Sequence, residues 1–335
     1  MNSTPVISST PLFPESATSP TVSSNRSNRF NRFKWLYLSL SLIGIVIVSA
    51  VLGFYAYIAW VLARPVIPPL QSNPLQAVGL PYEEVQFPSA NESRIVDGWF
   101  IPGSSATTVI LSHGYGTNRE EPWVPSYELA AEINRHQYNV LMFDYGFVHP
   151  DRPFTGGIVE TQELLGAVNY VKQRGAEHVF IWGFSMGAGT ALQAALNTDL
   201  IDGMILDSTF ILDPETMFFN IKQQASLLPR FPSIALVSMF LPVFNGHSFK
   251  EVPYRTVNQT SYPIPILLVH SEQDDKAPYE TITRFYENQK DEPRTKLWLL
   301  PDAPHEMIFR THPEEYLRRT FQFLEEIIRP DSLTV

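Results

Sequence analysis

Cysteine is absent from the 335-residue chain, which excludes a disulfide framework and any metal site built on thiolates. Basic residues are also scarce, since 24 lysines and arginines stand against 34 aspartates and glutamates, for a net charge of −10. An acidic chain of this kind lacks the basic surface on which nucleic-acid binding depends. We therefore expect no nucleic-acid partner.

Motifs for phosphate loops and metal ligands are missing as well. Neither G-x-x-x-x-G-K-[ST] nor G-x-G-x-x-G occurs in the chain. His305 is followed by Glu306, but no second histidine stands at helical spacing from this pair. The sequence therefore predicts neither a metal site nor a cofactor.

One long stretch lacks charge altogether. Residues 35–63 hold no charged side chain, and about 20 apolar residues suffice for a helix to cross a bilayer. Tryptophan and tyrosine stand near both ends of the stretch, as they do at the two interfaces of a membrane. We predict one transmembrane helix over residues 35–63, in contact with the lipid bilayer. The alternative is a cleaved signal peptide, whose apolar core is usually only about 7–15 residues long.

The charges that flank this stretch predict its orientation. Positive charge is retained on the cytoplasmic side of a membrane. Four basic residues precede the stretch and one follows it closely, namely Arg26, Arg29, Arg32, Lys34 and Arg64. The N-terminus is therefore predicted in the cytoplasm, and the remainder of the chain outside it.

Composition divides the rest of the chain. Residues 1–34 are predicted to be a disordered cytoplasmic tail, rich in Ser, Thr and Pro, that ends in the basic flank. Residues 64–81 contain five prolines and are predicted to be a semi-rigid linker. One large domain is expected over residues 82–330. A Phe-, Met- and Pro-rich stretch at about 208–263 is predicted to form a helical cap over the site.

Short apolar runs alternate with helical patterns through this domain. Such alternation predicts a mostly parallel sheet with helices on both faces, and here the sheet is expected to begin with an antiparallel hairpin. The eight predicted strands cover residues 84–87, 95–101, 108–112, 139–144, 178–182, 203–207, 264–270 and 296–300.

Residues 183–187 spell Gly-Phe-Ser-Met-Gly, between a predicted strand and a predicted helix rich in small residues. In a nucleophile elbow the strand ends in a sharp turn that holds the serine in a strained conformation. Glycine on either side lets the neighbouring backbone pass without a Cβ clash. Ser185 is therefore the candidate nucleophile.

A serine nucleophile needs a base, an acid that orients the base, and donors for the oxyanion. Two aspartates, Asp274 and Asp275, follow the predicted strand at 264–270, and His305 follows the last strand. The order serine, aspartate, histidine is that of the α/β-hydrolase fold. His270 and His312 are weaker candidates for the base.

The candidate oxyanion donors are backbone N–H groups. The strand at 108–112 ends in the turn 113–116, His-Gly-Tyr-Gly, and the helix after the elbow starts at Met186. A tetrahedral intermediate is stabilised by two such donors. We predict that the N–H groups of Tyr115 and Met186 form the oxyanion hole.

Together these motifs resemble the α/β-hydrolase superfamily, and within it the membrane-anchored serine-aminopeptidase-like and dienelactone-hydrolase-like proteins. The resemblance covers about residues 80–330, and the motifs on which it is based include the turn at 113–114, the elbow and His305. In that group the acid usually stands four residues after the histidine that ends its strand, which selects Asp274 over Asp275.

The resemblance implies a membrane-tethered serine hydrolase that cleaves an ester, thioester or amide through an acyl-enzyme. An ester with an apolar part is favoured because the predicted cap is apolar. A serine-aminopeptidase-like enzyme acting on short peptides is one alternative, and a non-catalytic binding domain on the same fold is another. Labelling by a fluorophosphonate distinguishes an activated serine from a binding domain.

Overall fold

The computed structural model describes Met1 and residues 25–289 and 294–328. Most of the predicted disordered tail therefore lies outside the described residues. The chain divides into two compact units, Met1–Leu52 and Gly53–Val335. The second unit carries the sheet, the cap and all the candidate site residues.

The first helix, α1, extends over Asn25–Ala63 and contains the charge-free stretch. Over Asn31–Ala63 it is long and apolar enough to cross a membrane, by length and composition. Its side chains are exposed throughout residues 31–51. From Tyr55 onward a different pattern starts, in which Tyr55, Ala59 and Ala63 are buried within the second unit.

The predicted eight-stranded, mostly parallel sheet is confirmed. Its spatial order is β1-β2-β4-β3-β5-β6-β7-β8. β2 pairs antiparallel with both β1 and β4, and the remaining pairs are parallel. The strands are β1 (Glu83–Pro88), β2 (Ile95–Ile101), β3 (Thr107–Ser112), β4 (Asn139–Phe143), β5 (His178–Phe184), β6 (Gly203–Asp207), β7 (Ile266–Ser271) and β8 (Thr295–Leu300).

Helices cover both faces of the sheet because alternate strand residues point to opposite sides. Ile110 of β3 belongs to the core beneath α4, α5 and α9, whereas its neighbour Leu111 belongs to the core beneath α3 and α11. The central strands are buried on both faces and are accordingly apolar throughout. These helices are α3 (Ser126–Arg135), α4 (Ile158–Gln173), α5 (Met186–Ala195), α9 (Tyr279–Asn288) and α11 (Pro313–Ile328), preceded by the short α10 (Ile308–Thr311).

Between β6 and β7 the chain forms the predicted helical cap. It consists of α6 (Pro214–Gln224), α7 (Arg230–Asn245), a 3₁₀ turn over Phe249–Glu251, and α8 (Tyr254–Gln259). Asp213 caps the N-terminus of α6 by accepting a hydrogen bond from the Thr216 backbone N–H. Apolar residues of this stretch form a third core together with Tyr55 and Ala59 of α1.

Residues 64–81, predicted to be a spacer, instead contact the domain. The backbone N–H groups of Gln71 and Ser72 donate to the Glu120 carboxylate, and the Asn118 amide donates to the Pro68 carbonyl. The short helix α2 (Pro74–Val78) lies within this segment. This proline-rich segment therefore follows an ordered path along the domain. The restricted φ angles of its prolines are compatible with such a bound segment as well as with a free spacer.

Candidate active site

Ser185 occupies the turn between β5 and α5 with φ 48° and ψ −114°. This is a conformation that non-glycine residues seldom adopt, and strain of this kind is common at functional sites. Neighbouring hydrogen bonds hold the turn in place: Ser185 N–H donates to the Asp207 carbonyl at 2.9 Å, and Phe210 N–H donates to the Ser185 carbonyl at 3.0 Å. The serine is thus fixed at the carboxyl edge of the sheet.

The flanking glycines permit close backbone contact. A Cβ atom at Gly183 would lie 2.7 Å from the Ala188 Cα, and one at Gly187 would lie 2.6 Å from the His113 carbonyl oxygen. Real Cβ contacts do not come so close. The G-x-S-x-G pattern is therefore required here by packing of the elbow against β3 and α5.

The loops after β5, β7 and β8 bring Ser185, Asp274 and His305 together. His305 Nε2 lies 2.8 Å from Ser185 Oγ, and His305 Nδ1 lies 2.7 and 2.8 Å from the two Asp274 carboxylate oxygens. These distances are within hydrogen-bonding range for both contacts. Because Asp274 accepts from Nδ1–H, the unprotonated Nε2 faces the serine hydroxyl in the neutral imidazole.

Asp274 and Asp275 differ sharply in surroundings. The Asp274 side chain is fully buried, and its Oδ1 also accepts the backbone N–H groups of Lys276 and Ala277 at 2.8 and 2.7 Å. The Asp275 side chain is 59% exposed and pairs with Lys276. The structure thus brings Asp274, and not Asp275, to the candidate base.

The two weaker histidine candidates are bonded elsewhere. His270 Nε2 lies 3.0 Å from the Ala277 carbonyl oxygen, on the Asp274 side of the site. His312 Nε2 lies 3.1 Å from the Asp302 carboxylate. Of the three histidines considered for the base, His305 contacts Ser185.

The electrostatics of the site favour a basic His305. Burial alone lowers its pKa, but the hydrogen bond with Asp274 and the negative charges of Asp274 and Glu306 outweigh burial and raise the pKa above its ordinary 6.5. For the Asp274 carboxyl group, burial acts in the opposite direction and raises the pKa. The hydrogen bond with His305 and the charge of His305 outweigh burial and lower the pKa of Asp274 below its ordinary value. Asp274 therefore stays ionised and keeps the imidazole ready to accept a proton.

The turn after β3 carries the predicted oxyanion donor Tyr115. His113 is buried in this turn and accepts the Tyr145 backbone N–H at Nε2, while its Nδ1 lies 2.9 Å from the Gly114 carbonyl oxygen. Burial lowers the pKa of His113 to about 4, so the ring is neutral and holds the turn. Within residues 25–289 and 294–328, the backbone N–H groups of Tyr115 and Met186 donate no hydrogen bond.

Two buried carboxyl groups beside this turn were not anticipated from the sequence. Glu121 Oε2 accepts the Gly114 N–H at 2.5 Å, and Glu306 N–H donates to Ser208 Oγ at 3.0 Å. Burial raises the pKa of both glutamates, and the charge of Glu121 raises that of Glu306 further. Both carboxyl groups therefore keep their protons to a higher pH than an exposed glutamate does.

A small cavity of about 30 Å³ with mainly apolar walls lies under the cap. Its walls include Leu62 from the end of α1, Phe154, and Met217 and Leu241 from the cap. A second cavity of about 10 Å³ shares the lining residues Phe154, Gly156 and Leu212 with it and is also lined by Met186, next to the nucleophile. No group of three His, Asp or Glu in the described part of the chain is arranged to hold a metal ion.

Comparisons with known proteins agree with the fold of this domain. The model of the alpha/beta hydrolase fold matches residues 107–236. The uncharacterized protein YfhR of Escherichia coli K12 is 26% identical over 264 residues, which cover 75% of this chain and 83% of YfhR. The esterase PF2001 of Pyrococcus furiosus superposes with a TM-score of 0.64 at 25% identity, over 79% of this chain and 98% of the esterase.

A lipase also appears among the relatives. The lysophosphatidylserine lipase ABHD12 of Danio rerio is 27% identical over 194 residues, which cover 55% of this chain. The match spans about half of ABHD12, 47% of its length.

Proposed function

Because the chain belongs to the α/β-hydrolase superfamily, we propose that it is a membrane-tethered serine hydrolase that cleaves carboxylic esters. The observation that carries this proposal is the continuous hydrogen-bonded series Ser185, His305, Asp274 at the carboxyl edge of the sheet. The esterase and lipase among the similar proteins support the same reaction class.

In the proposed reaction, Ser185 Oγ attacks the ester carbonyl carbon while His305 Nε2 takes the hydroxyl proton. Asp274 holds the imidazole in the required tautomer and stabilises the imidazolium. The N–H groups of Tyr115 and Met186 bind the oxyanion of the tetrahedral intermediate. His305 then protonates the leaving alcohol, and a water molecule hydrolyses the acyl-enzyme by the same steps.

The cavity chemistry favours an apolar ester over a peptide. An aminopeptidase has to bind the charged amino group of its substrate, for which a carboxylate is the usual partner. The residues that line the two described cavities include no Asp or Glu and are mainly apolar. We therefore expect a panel of esters and aminoacyl anilides to give ester hydrolysis, with amide hydrolysis weak or absent.

A fluorophosphonate probe tests the chemistry without knowledge of the substrate. The full-length protein is expected to label at Ser185, and Ser185→Ala to lose both labelling and esterase activity, with kcat lower by on the order of 10⁶-fold. Ser93→Ala, at an exposed turn, is the matched control and keeps both. An unlabelled but folded wild-type protein would instead support a binding domain.

The membrane tether is part of the same proposal. The charge-free stretch at residues 35–63 is proposed to hold the bilayer span, which ends before the turns that pack in the domain from Tyr55 onward, with the N-terminus in the cytoplasm and the hydrolase outside it. Protease added to spheroplasts should then digest the hydrolase domain and spare a tag placed before Arg26. A protected domain with an accessible tag would show the opposite topology, and release of the domain into the soluble fraction would show cleavage of a signal peptide.

A further inference from the structure

The last three turns of α1, residues 53–63, pack within the hydrolase unit. Tyr55 and Ala59 are buried in the cap core together with residues of α7. The Tyr55 hydroxyl lies 2.7 Å from Ser233 Oγ, and this hydrogen bond is buried. The end of α1 is therefore a fixed part of the domain, to which a neighbouring loop can be anchored.

The carbonyl groups at this helix end bind two loops of the candidate site. The last carbonyl groups of a helix have no intrahelical donors and need partners from elsewhere. The Ala63 carbonyl accepts the Phe154 N–H at 2.8 Å. The Tyr115 hydroxyl lies 3.1 Å from each of the Val61 and Leu62 carbonyl oxygens and donates to them. Tyr115 is thus bonded through its side chain to the end of α1.

The backbone of the same residue carries the N–H group proposed as an oxyanion donor. This N–H shares a planar peptide group with the Gly114 carbonyl, so the two point in opposite directions. His113 accepts the Tyr145 N–H at Nε2, so its neutral ring donates Nδ1–H to the Gly114 carbonyl oxygen at 2.9 Å. The imidazole therefore holds the carbonyl side of this peptide group, and the Tyr115 side chain holds the residue on the N–H side.

The other contacts of Tyr115 do not fix its direction. Gly116 follows it with φ 79°, and a Cβ atom there would meet no heavy atom of the described residues within 4 Å. The Tyr115 ring packs against Phe147 and Phe154 at centroid distances of 6.3 and 5.0 Å. Apolar packing is non-directional, whereas a hydrogen bond favours one narrow geometry. The hydroxyl therefore supplies the directional contact on this side of the turn.

We propose that the Tyr115 hydroxyl is a positioning group for the oxyanion hole, and that the end of α1 is the support to which it holds the turn. The proposal rests on the proposed function for the role of the Tyr115 N–H. The hydroxyl contacts α1 rather than the reacting atoms and acts through the backbone of its own residue. The helix that tethers the protein thereby contributes to turnover as well as to attachment.

The test compares Tyr115→Phe with Tyr262→Phe in the full-length protein. Tyr262→Phe is the matched control, because its hydroxyl also donates to a backbone carbonyl at 3.1 Å, that of Leu192. Loss of a whole oxyanion donor lowers kcat by about 10²–10³-fold, so a loosened donor should lower it less, by roughly tenfold. KM for p-nitrophenyl butyrate should stay near that of wild type, because the oxyanion exists only after the substrate has bound. Tyr262→Phe should keep the kcat of wild type.

A double-mutant cycle tests the part played by α1. Tyr55→Phe removes the buried bond to Ser233 and so loosens the helix end from a point outside the candidate site. By itself it should lower kcat by roughly threefold. Combined with Tyr115→Phe it should have no further effect, because the connection through which it acts is then already absent. Additive losses, or a wild-type kcat in Tyr55→Phe, would overturn the role of α1.

The remaining outcomes separate this proposal from the proposed function. A wild-type kcat in Tyr115→Phe, or an equal loss in Tyr262→Phe, would overturn the positioning role while wild type still labels with a fluorophosphonate. Absence of labelling in folded wild type would overturn the proposed function itself. If Tyr115→Phe fails to fold, the comparison of Tyr55→Phe with Tyr262→Phe serves as the test, and equal kcat values in the two would overturn the proposal.

Discussion

Replacement of Asp274 by Asn is expected to lower kcat by about 10⁴-fold, the effect of the wrong histidine tautomer in a serine protease. Asp274 Oδ1 accepts the backbone N–H groups of Lys276 and Ala277, so an Asn at 274 would keep its carbonyl oxygen toward those donors. Its NH₂ group would then point at His305 Nδ1, which would have to accept. The proton would move to Nε2, and the imidazole could no longer take a proton from Ser185.

Asp275→Asn is the matched control, because it makes the same chemical change one residue away. The Asp275 side chain is 59% exposed and its ion pair with Lys276 lies at the surface, where such pairs contribute little. Its kcat should therefore stay within about twofold of wild type. Steady-state hydrolysis of p-nitrophenyl butyrate and the rate of fluorophosphonate labelling are the measurements.

The pH profile gives a second readout of the same change. Hydrolysis requires neutral His305, so kcat/KM should rise with pH through the His305 pKa, which burial lowers but Asp274 and Glu306 raise above 6.5 overall. In Asp274→Asn the charge that raises this pKa is lost, and the residual activity should reach its plateau at a lower pH. Equal losses in Asp274→Asn and Asp275→Asn, or an unchanged midpoint, would refute the assignment of the acid.

Three further predictions concern the surroundings of the site. Gly187→Ala forces a Cβ atom against backbone carbonyl groups and should lower the free energy of unfolding by about 1–3 kcal/mol and impair labelling, as denaturant titration would show. Burial raises the pKa values of Glu121 and Glu306, so the folded protein holds protons that the unfolded chain releases above about pH 4.5, and this stabilisation is lost as pH rises through the folded pKa values. Glu306→Gln should make the decline of melting temperature with rising pH shallower than in wild type. Asp144→Asn leaves the buried Arg119 guanidinium without its 2.7 Å partner and should cost about 3–5 kcal/mol of stability, whereas an unchanged melting temperature would assign that pair no structural role.

Much of this arrangement could be predicted because local sequence patterns specify it. The strands appear as apolar runs, and each structural strand overlaps its predicted range. Ser185 is identified by the glycines that its turn requires, and His305 by its place after the last strand. Asp274 required the family pattern, since no local signal separates it from Asp275 before burial is known.

Contacts between distant parts of the chain could not be predicted in the same way. Glu121 and Glu306 are 185 positions apart, yet both lie beside the turn at Gly114. A glutamate in a loop is ordinarily solvated, and the sequence contains no sign that the fold will bury these two and so raise their pKa values. Only the packing of the last loop against the β3 turn creates the pair.

The end of α1 is the clearest case of one pattern with two meanings. A run of uncharged residues satisfies the requirement of a membrane span. The same run also contains the buried face of the last three turns of the helix, and the absence of charge does not distinguish the two roles. Tyr55, Ala59 and Ala63 recur every fourth residue, and small residues at that spacing allow another element to approach a helix closely. Here the approach is made by the cap and by the loop at Phe154. The boundary between anchor and enzyme therefore falls inside the apolar run, and the prolines that follow it lie already within the folded domain.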